Sequence, residues 1–484
     1  MSGEVTQQLA RSITMISYDD LSEQVVKKVK LALLDSIGCA LGGYVTDRAK
    51  IALELVDEFG GNPQASIIGS HHTSYGLAAF ANGELINTMD YDCMGPLTPH
   101  TVPIVTPPCL AMAERERASG KQLLLALAIA LEVGGRAINS LAQEEVWPDR
   151  LEKGANSVEL SPRFSWASSI FGGVAGAGKL LGLNTEEMSN AFGIAGASVP
   201  VPAKQKWDRT SGAAIMTKYN CWVGWIAQLA TIAALLAKRG FTGDTTILDG
   251  EWGYWKIVGS PFFKEDNLLK ELGETWHDKE IRFKLFPVCF LNHSGITAIN
   301  NIMQENEINP DDVEEVVVKG SPKSLTPNRM GLDLKSSDDM QFCNANVYAL
   351  AVYHGRSPGP AWQLPPVFNN PRIKALAEKV RVEPHPRSNE LIASKIEAGS
   401  WTTHFNNVIV EITARGRKFT TELSTPKGSH ENPMTETELV DKFRNNVSYS
   451  MLKSSKVEGI IQTLNELEKV DDVTKLMRLM TVTT

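Results

Sequence analysis

Apolar residues recur at every fourth position from Leu21 through Val25, Val29, Leu33 and Ile37 to Leu41, a spacing that lines one face of an α-helix and of nothing else. Ser17 to Asp20 ahead of it has the form of a capping box, and Gly42-Gly43 ends it. Further helices are predicted over Ile51 to Phe59, stopped by Gly60-Gly61, and over Tyr75 to Thr88, Leu110 to Ala118 and Lys121 to Leu141. The last of these is apolar on nearly every side and must be buried. The early part of the chain therefore predicts an all-helical domain.

Met89 to Pro107 breaks the pattern with four prolines and one glycine, which predicts an irregular segment held by the helices around it. Such segments on a rigid scaffold are where function concentrates. Asp90, Asp92 and His100 are its proton-carrying side chains. The plain alternative is a solvated loop whose aspartates make local turns.

At 484 residues and 43% hydrophobic content the chain supports two domains. A net charge of -8 argues against a nucleic-acid partner, because phosphate backbones need a basic surface. Cys39, Cys93, Cys109, Cys221, Cys289 and Cys343 are scattered, with no Cys-x-x-Cys pair, which suits a reducing cytoplasm. No secretory signal is read at the N-terminus, and the most apolar run, Leu123 to Val133, is too short to cross a bilayer and contains Glu132. A cytoplasmic protein with no membrane partner is expected.

Small residues dominate Ser165 to Leu183, where Gly172, Gly173, Gly176 and Gly178 allow close approach of neighbouring helices. Gly173 to Lys179 has the spacing of a phosphate-binding loop, but Leu180 stands where a Ser or Thr should ligate magnesium and no strand precedes it, so helix packing is the better reading. Asn184 to Glu187 caps a helix reaching Ala197, and Ser211 to Arg239 reads as a long apolar helix. Between them Lys204, Lys206 and Arg209 cluster around Trp207, either as a solvated face or as an anion receptor. After Trp276 the pattern changes to a β-branched strand at Val313 to Lys319, a helix at Asn344 to Tyr353, a proline-rich loop at Pro358 to Pro371 and a hairpin at Asn407 to Leu423 around Arg415-Gly416. Thr435 to Glu438 caps a helix through Phe443, and one last helix is predicted from Lys456 to Leu479. The expected fold is mainly α: a helical domain over residues 1–275, an inserted α+β lid over 276–430, and C-terminal helices over 431–484 returning to the first domain. A cleft between two such units is a usual place for a small-molecule site.

The run Leu31 to Gly43, Met89-Asp90-Tyr91-Asp92 with His100 after it, Gly178 to Leu183, Phe283 to Pro287 with His293, and Asn432 to Thr435 followed by Lys442-Phe443 together resemble the MmgE/PrpD family, in family order and over nearly the whole chain. The resemblance implies a helical domain with a lid, a homodimer, and neither metal nor organic cofactor. Known members, 2-methylcitrate dehydratase, cis-aconitate decarboxylase and iminodisuccinate epimerase, act on small polycarboxylates. It further implies His100 as principal acid/base, Asp90 as its orienting or polarising partner, and Lys284 as second acid/base or carboxylate clamp. Chemistry next to a carboxylate needs cations to hold the developing charge and a base near the carbon.

The departures are informative. Met94 stands where decarboxylase-like members carry threonine; a family histidine falls on Arg163, a lysine on Arg209, and a late histidine on Cys289, in an ungapped count. Arginine holds carboxylates in bidentate fashion but does not give up protons. Arg163, Arg209, Lys204, Lys206, Cys289 and His293 are therefore candidates to bind a carboxylate substrate, and cis-aconitate decarboxylation is disfavoured. The expected activity is a hydro-lyase acting on a small hydroxy-polycarboxylate, with a two-base epimerase or isomerase as the alternative and a non-catalytic carboxylate-binding protein as the third reading. Asp90 and Asp92 as magnesium ligands are set aside for want of a third carboxylate nearby, and His71-His72 reads as an exposed turn, because adjacent residues rarely point at one ion.

Overall fold

The computed structural model describes residues 4–98, 100–141, 166–199, 216–217, 223–260, 262–325, 329–397 and 405–482. The long stripe forms α2 (Glu23–Gly43), preceded by α1 (Val5–Met15), a helix not expected from the sequence although Val5, Leu9 and Ile13 share the same spacing. Ser17 and Asp20 do form a capping box, but on a short 3₁₀ turn; α2 itself starts after Ser22, whose side chain accepts from the Val25 N–H. There follow α3 (Asp47–Phe59), α4 (Tyr75–Asn87), α5 (Val102–Glu116), α6 (Gly120–Asn139), α7 (Ile170–Leu180), α8 (Thr185–Ser198) and α9 (Val223–Lys238).

Helix α5 corrects the expectation of an irregular chain up to Pro107. Pro103 falls in its first turn, where the missing N–H costs nothing, while Pro107 and Pro108 lie inside the helix and are tolerated because Val102 to Ala113 is buried throughout. The loop is thereby shortened to residues 88–101. Helix α7 contains the glycine-rich run: a Cβ on Gly172 would strike the Ala130 carbonyl of α6, and one on Gly176 would strike the Cys109 thiol of α5. These glycines serve helix packing, as read.

The later part holds a four-stranded sheet. Strand β1 (Val313–Gly320) pairs in parallel with β2 (Val380–Pro384) and antiparallel with β3 (Val408–Ala414), which turns back into β4 (Arg417–Leu423). Arg415 and Gly416, both with positive φ, make the tight hairpin turn. Helices α10 (His293–Glu305), α11 (Ser337–Phe342) and α12 (Asn344–His354) accompany the sheet, and two short helices, Pro360–Gln363 and Pro365–Phe368, fall inside the expected proline-rich loop. The C-terminal segment forms α13 (Glu436–Val447), capped by Thr435 and Glu438 as expected. It then forms two helices rather than one, α14 (Val457–Asn465) and α15 (Thr474–Met480), broken by a 3₁₀ turn at Leu467–Lys469.

Apolar packing divides accordingly. One cluster takes residues from Val5 to Phe283 and from Met434 to Met480, the other from Phe286 to Ala414. Phe443 of α13 lies against Gly38 of α2, so the end of the chain packs on its beginning.

One buried ion cluster fixes the approach to the second unit. Glu132 of α6 accepts from Arg136 Nε and His277 Nδ1, both at 2.6 Å, and from the His277 N–H at 3.0 Å, while Arg136 donates to the carbonyls of Lys270 and Thr275. The hydrogen bond to Glu132 raises the His277 titration above the ordinary histidine value, against the opposing effect of burial. A raised pKa means stability that is full below the unfolded value of about 6.5 and is lost as pH climbs through the folded one. The melting-temperature advantage of wild type over His277→Gln is accordingly expected to shrink between pH 6 and pH 9, roughly; thermal denaturation giving a gap that grows with pH would contradict this.

Candidate active site

Helix α4 ends at Asn87, and the chain that follows is strained. Of seven non-glycine residues with positive φ among the described residues, three lie in this one loop: Asp90 (50°), Leu97 (63°) and His100 (62°). Such conformations persist where the surroundings over-determine them, and they cluster at functional sites. Here α6 and the incoming second segment supply the constraint. Gly135 lets the Pro96 carbonyl rest against α6, and Met94 forms an antiparallel bridge with Arg282 through N–H to carbonyl bonds of 2.8 and 3.1 Å.

That bridge sets the register that delivers Lys284 to the loop. Lys284 Nζ donates at 2.8 Å to both the Asp90 carbonyl and Asp90 Oδ1, with lysine and aspartate 2% and 0% exposed. Burial pulls the ammonium down, but the Asp90 and Asp92 carboxylates outweigh it and hold Lys284 above the ordinary lysine range. Lys284 is thus a charged acid with a fixed partner, not a free base. Two of its three N–H donors are used on Asp90.

His100, also buried, meets the edge of Trp166 at a centroid distance of 5.4 Å. Trp166 belongs to a small apolar cluster with Ile138, Cys289 and Phe342, so His100 and Cys289 share one wall, contributed on one side by the helical part and on the other by α11. His293 is fully buried between Phe286 and Phe290, its Nε2 facing the Val288 carbonyl at 3.4 Å. Burial, with the nearby Lys284 charge, drops its pKa to about 3, so His293 is a neutral imidazole at any working pH. Arg163, Lys204, Lys206 and Arg209 lie outside the described residues. Among the described residues no group of three His, Cys, Asp or Glu side chains comes together as a metal site, and His71 and His72 face separate carboxylates, Asp57 and Glu114.

A profile of the MmgE/PrpD N-terminal domain matches residues 7–265, and one of the MmgE/PrpD C-terminal domain matches residues 286–468. The chain belongs to the MmgE/PrpD family. Its similar curated proteins include the cis-aconitate decarboxylase of Homo sapiens, 25% identical over 99% of this chain and 95% of that protein, and that of Mus musculus, 24% identical over 99% and 94%. A cis-aconitate decarboxylase of Aspergillus terreus is 24% identical over 98% and 96%.

Two charged residues inside the family landmarks were given no role by the sequence, and the structure joins them. Lys442 of α13 lies 2.7 Å from Asp35 of α2, donates to the carbonyls of Tyr91 (2.8 Å) and Lys284 (2.9 Å), and sits 3.7 Å from the Tyr91 ring centroid. The other Asp35 oxygen accepts from the Cys93 N–H at 2.8 Å. One buried pair therefore holds both segments of the candidate site. The signal was present: Asp35 interrupts an apolar run, and Lys442 sits on the buried face beside Leu439 and Phe443. A second network was equally unforeseen. Arg48 of α3 donates to Glu84 (2.6 Å) and Asn87 (3.4 Å) of α4, and Asn87 donates to Asp92 Oδ1 (3.1 Å). Gln341 of α11 donates to the Thr88 carbonyl and to Gln363, which donates to the Pro287 carbonyl, tying the second unit to the loop.

Proposed function

We propose that this chain is a cofactor-independent lyase that dehydrates a small hydroxy-polycarboxylate. The buried Lys284–Asp90 pair, seated in a strained loop that also carries His100, is the observation that supports it most. In this reading His100 removes a proton from the carbon beside a substrate carboxylate. The Lys284 ammonium, kept charged by Asp90, stabilises the enolate-like charge and protonates the departing hydroxyl. Arg163, Lys204, Lys206 and Arg209 hold the carboxylates, and the unit carrying the sheet acts as a lid. Lyase chemistry on a polycarboxylate agrees with what the curated relatives are named for.

Those same relatives favour a second reading, decarboxylation of cis-aconitate. Against it stands Met94, buried and offering only a thioether where a strong hydrogen bond to a leaving carboxylate would be useful. The reading carries with it a cytoplasmic homodimer.

Purified protein supplied separately with 2-methylcitrate and with cis-aconitate is expected to generate alkene absorbance from the first and no carbon dioxide from the second. His100→Ala should lower kcat by about 10²–10⁴-fold. Carbon dioxide from cis-aconitate would establish the second reading instead, and deuterium exchange at carbon without either product would defeat both.

A further inference from the structure

Ile51, Leu55 and Phe59 recur at every fourth position of α3, yet all three face solvent, as do Trp225 and Ile232 of α9; the five are 38–64% exposed. Helix α9 carries no charged residue before Lys238. Both helices flank α4 and run antiparallel to it. At one end Glu84 of α4 accepts from Arg48 Nε of α3 (2.6 Å) and from the Gly224 N–H of α9 (2.9 Å). At the other end Gly61, just past α3, lies against Ser74, and a Cβ on Gly76 would touch Ile232. Phe80, one turn from both Gly76 and Glu84, shares their face of α4 and is only partly buried. The three helices thus form one layer with an apolar outer face.

Monomers rarely expose so much apolar surface in one place. At about 200 Å² for each such side chain fully exposed, the five offer on the order of 500 Å². That matches the apolar share, about 65%, of the roughly 800 Å² that each partner gives to a standard homodimer interface. The charges at the rim are of both signs and are separated. Glu54 and Glu58 are exposed on the C-terminal half of α3, and Arg239 is exposed just past the end of α9. An acidic rim suits an anionic lipid surface poorly.

We propose that this face is where two copies of the chain meet, about a two-fold axis running along α4. Because α3 and α9 run the same way on either side of that axis, the rotation exchanges them without changing their height. Ile51, Leu55 and Phe59 of each copy then lie over Trp225 and Ile232 of the other, and Glu54 and Glu58 come opposite Arg239. An axis across the helices would instead set α3 on α3 and leave Arg239 without an acid. The inner side of the same layer reaches the candidate site: Arg48 passes from Glu84 to Asn87, and Asn87 donates to Asp92. A second copy that clamps α3 and α9 about Glu84 therefore steadies the loop bearing Asp90. Its bearing on turnover rests on the lyase reading; the assembly does not.

Sedimentation velocity of the full chain at micromolar concentration tests the face without turnover. Wild type is expected as a dimer. Leu55→Glu combined with Trp225→Glu should raise the dimer Kd by about 10²-fold or more. Both residues are exposed, so the helical circular dichroism should be unchanged. Glu58→Lys alone should weaken the dimer by about tenfold, and adding Arg239→Glu should restore it, which a merely damaged helix would not allow. A wild type that sediments as a monomer, alone or bound to added lipid vesicles, overturns the proposal, as does a Leu55/Trp225 variant that stays dimeric with wild-type Kd. Failure of the Arg239 change to rescue the Glu58 change overturns the axis. A dimer dispersed by these substitutions that converts no substrate refutes the lyase reading and leaves the interface standing.

Discussion

Lys284→Met is expected to unfold with a free energy about 3–5 kcal/mol below wild type, the cost of leaving a buried charge uncompensated. Asp90, 0% exposed, has Lys284 on both its carbonyl and its Oδ1, and the substituted thioether can donate to neither. The same change should lower kcat/KM by about 10²–10⁴-fold, because the acid and the charge that stabilises the intermediate disappear together. Adding Asp90→Asn separates the two effects. Urea denaturation should show most of the stability restored in the double variant, since position 90 then carries no charge, while turnover stays lost. Recovery of activity along with stability would mean that Lys284 is a structural cation and that the chemistry lies elsewhere.

Lys442→Met should be almost as damaging, by about 3–5 kcal/mol, although Lys442 is assigned no contact with substrate. It strips Asp35 of its counter-ion and leaves the carbonyls of Tyr91 and Lys284 without their shared donor. Burial alone would depress this ammonium; Asp35 raises it instead, so the cation is present across the working pH range. Asp35→Asn combined with Lys442→Met is expected to regain folding but not full kcat, since the carbonyls of Tyr91 and Lys284, on either side of the Lys284–Asp90 pair, then lose their shared donor. A double variant with wild-type kcat would show that the pair contributes to stability and not to positioning.

How far the sequence reached can be seen residue by residue. Stripes at helical spacing located most helices, and caps at Asn184 and Thr435 and the Arg415-Gly416 turn were read correctly, because each is a local device whose chemistry is complete within a few residues. Pro107 and Pro108 misled, since proline punctuates only where neighbouring packing does not compensate for the lost hydrogen bonds, and α5 is enclosed on all sides. The meeting of Lys284 with Asp90 was not read from the two landmarks that contain them, which made Asp90 a partner of His100 instead, and the strain at Asp90 and His100 has no sequence signature, since neither is glycine. Asp35 and Lys442 were visible only as charges on apolar helix faces, and Arg48, beside Asp47 and Lys50, not at all. Their partners lie on distant helices, and no periodicity names them.

Lys442 and Tyr91 are 351 residues apart in the chain. A ribosome must therefore finish nearly the whole polypeptide before the loop bearing Asp90 can be locked, and until then Asp35 waits in a growing helical domain as an unmatched charge. Such long-range closure is slow and leaves intermediates exposed to aggregation. Nascent or C-terminally truncated chains should accordingly remain inert toward metabolites, and catalytic competence should appear in one step, late, as the final helices dock.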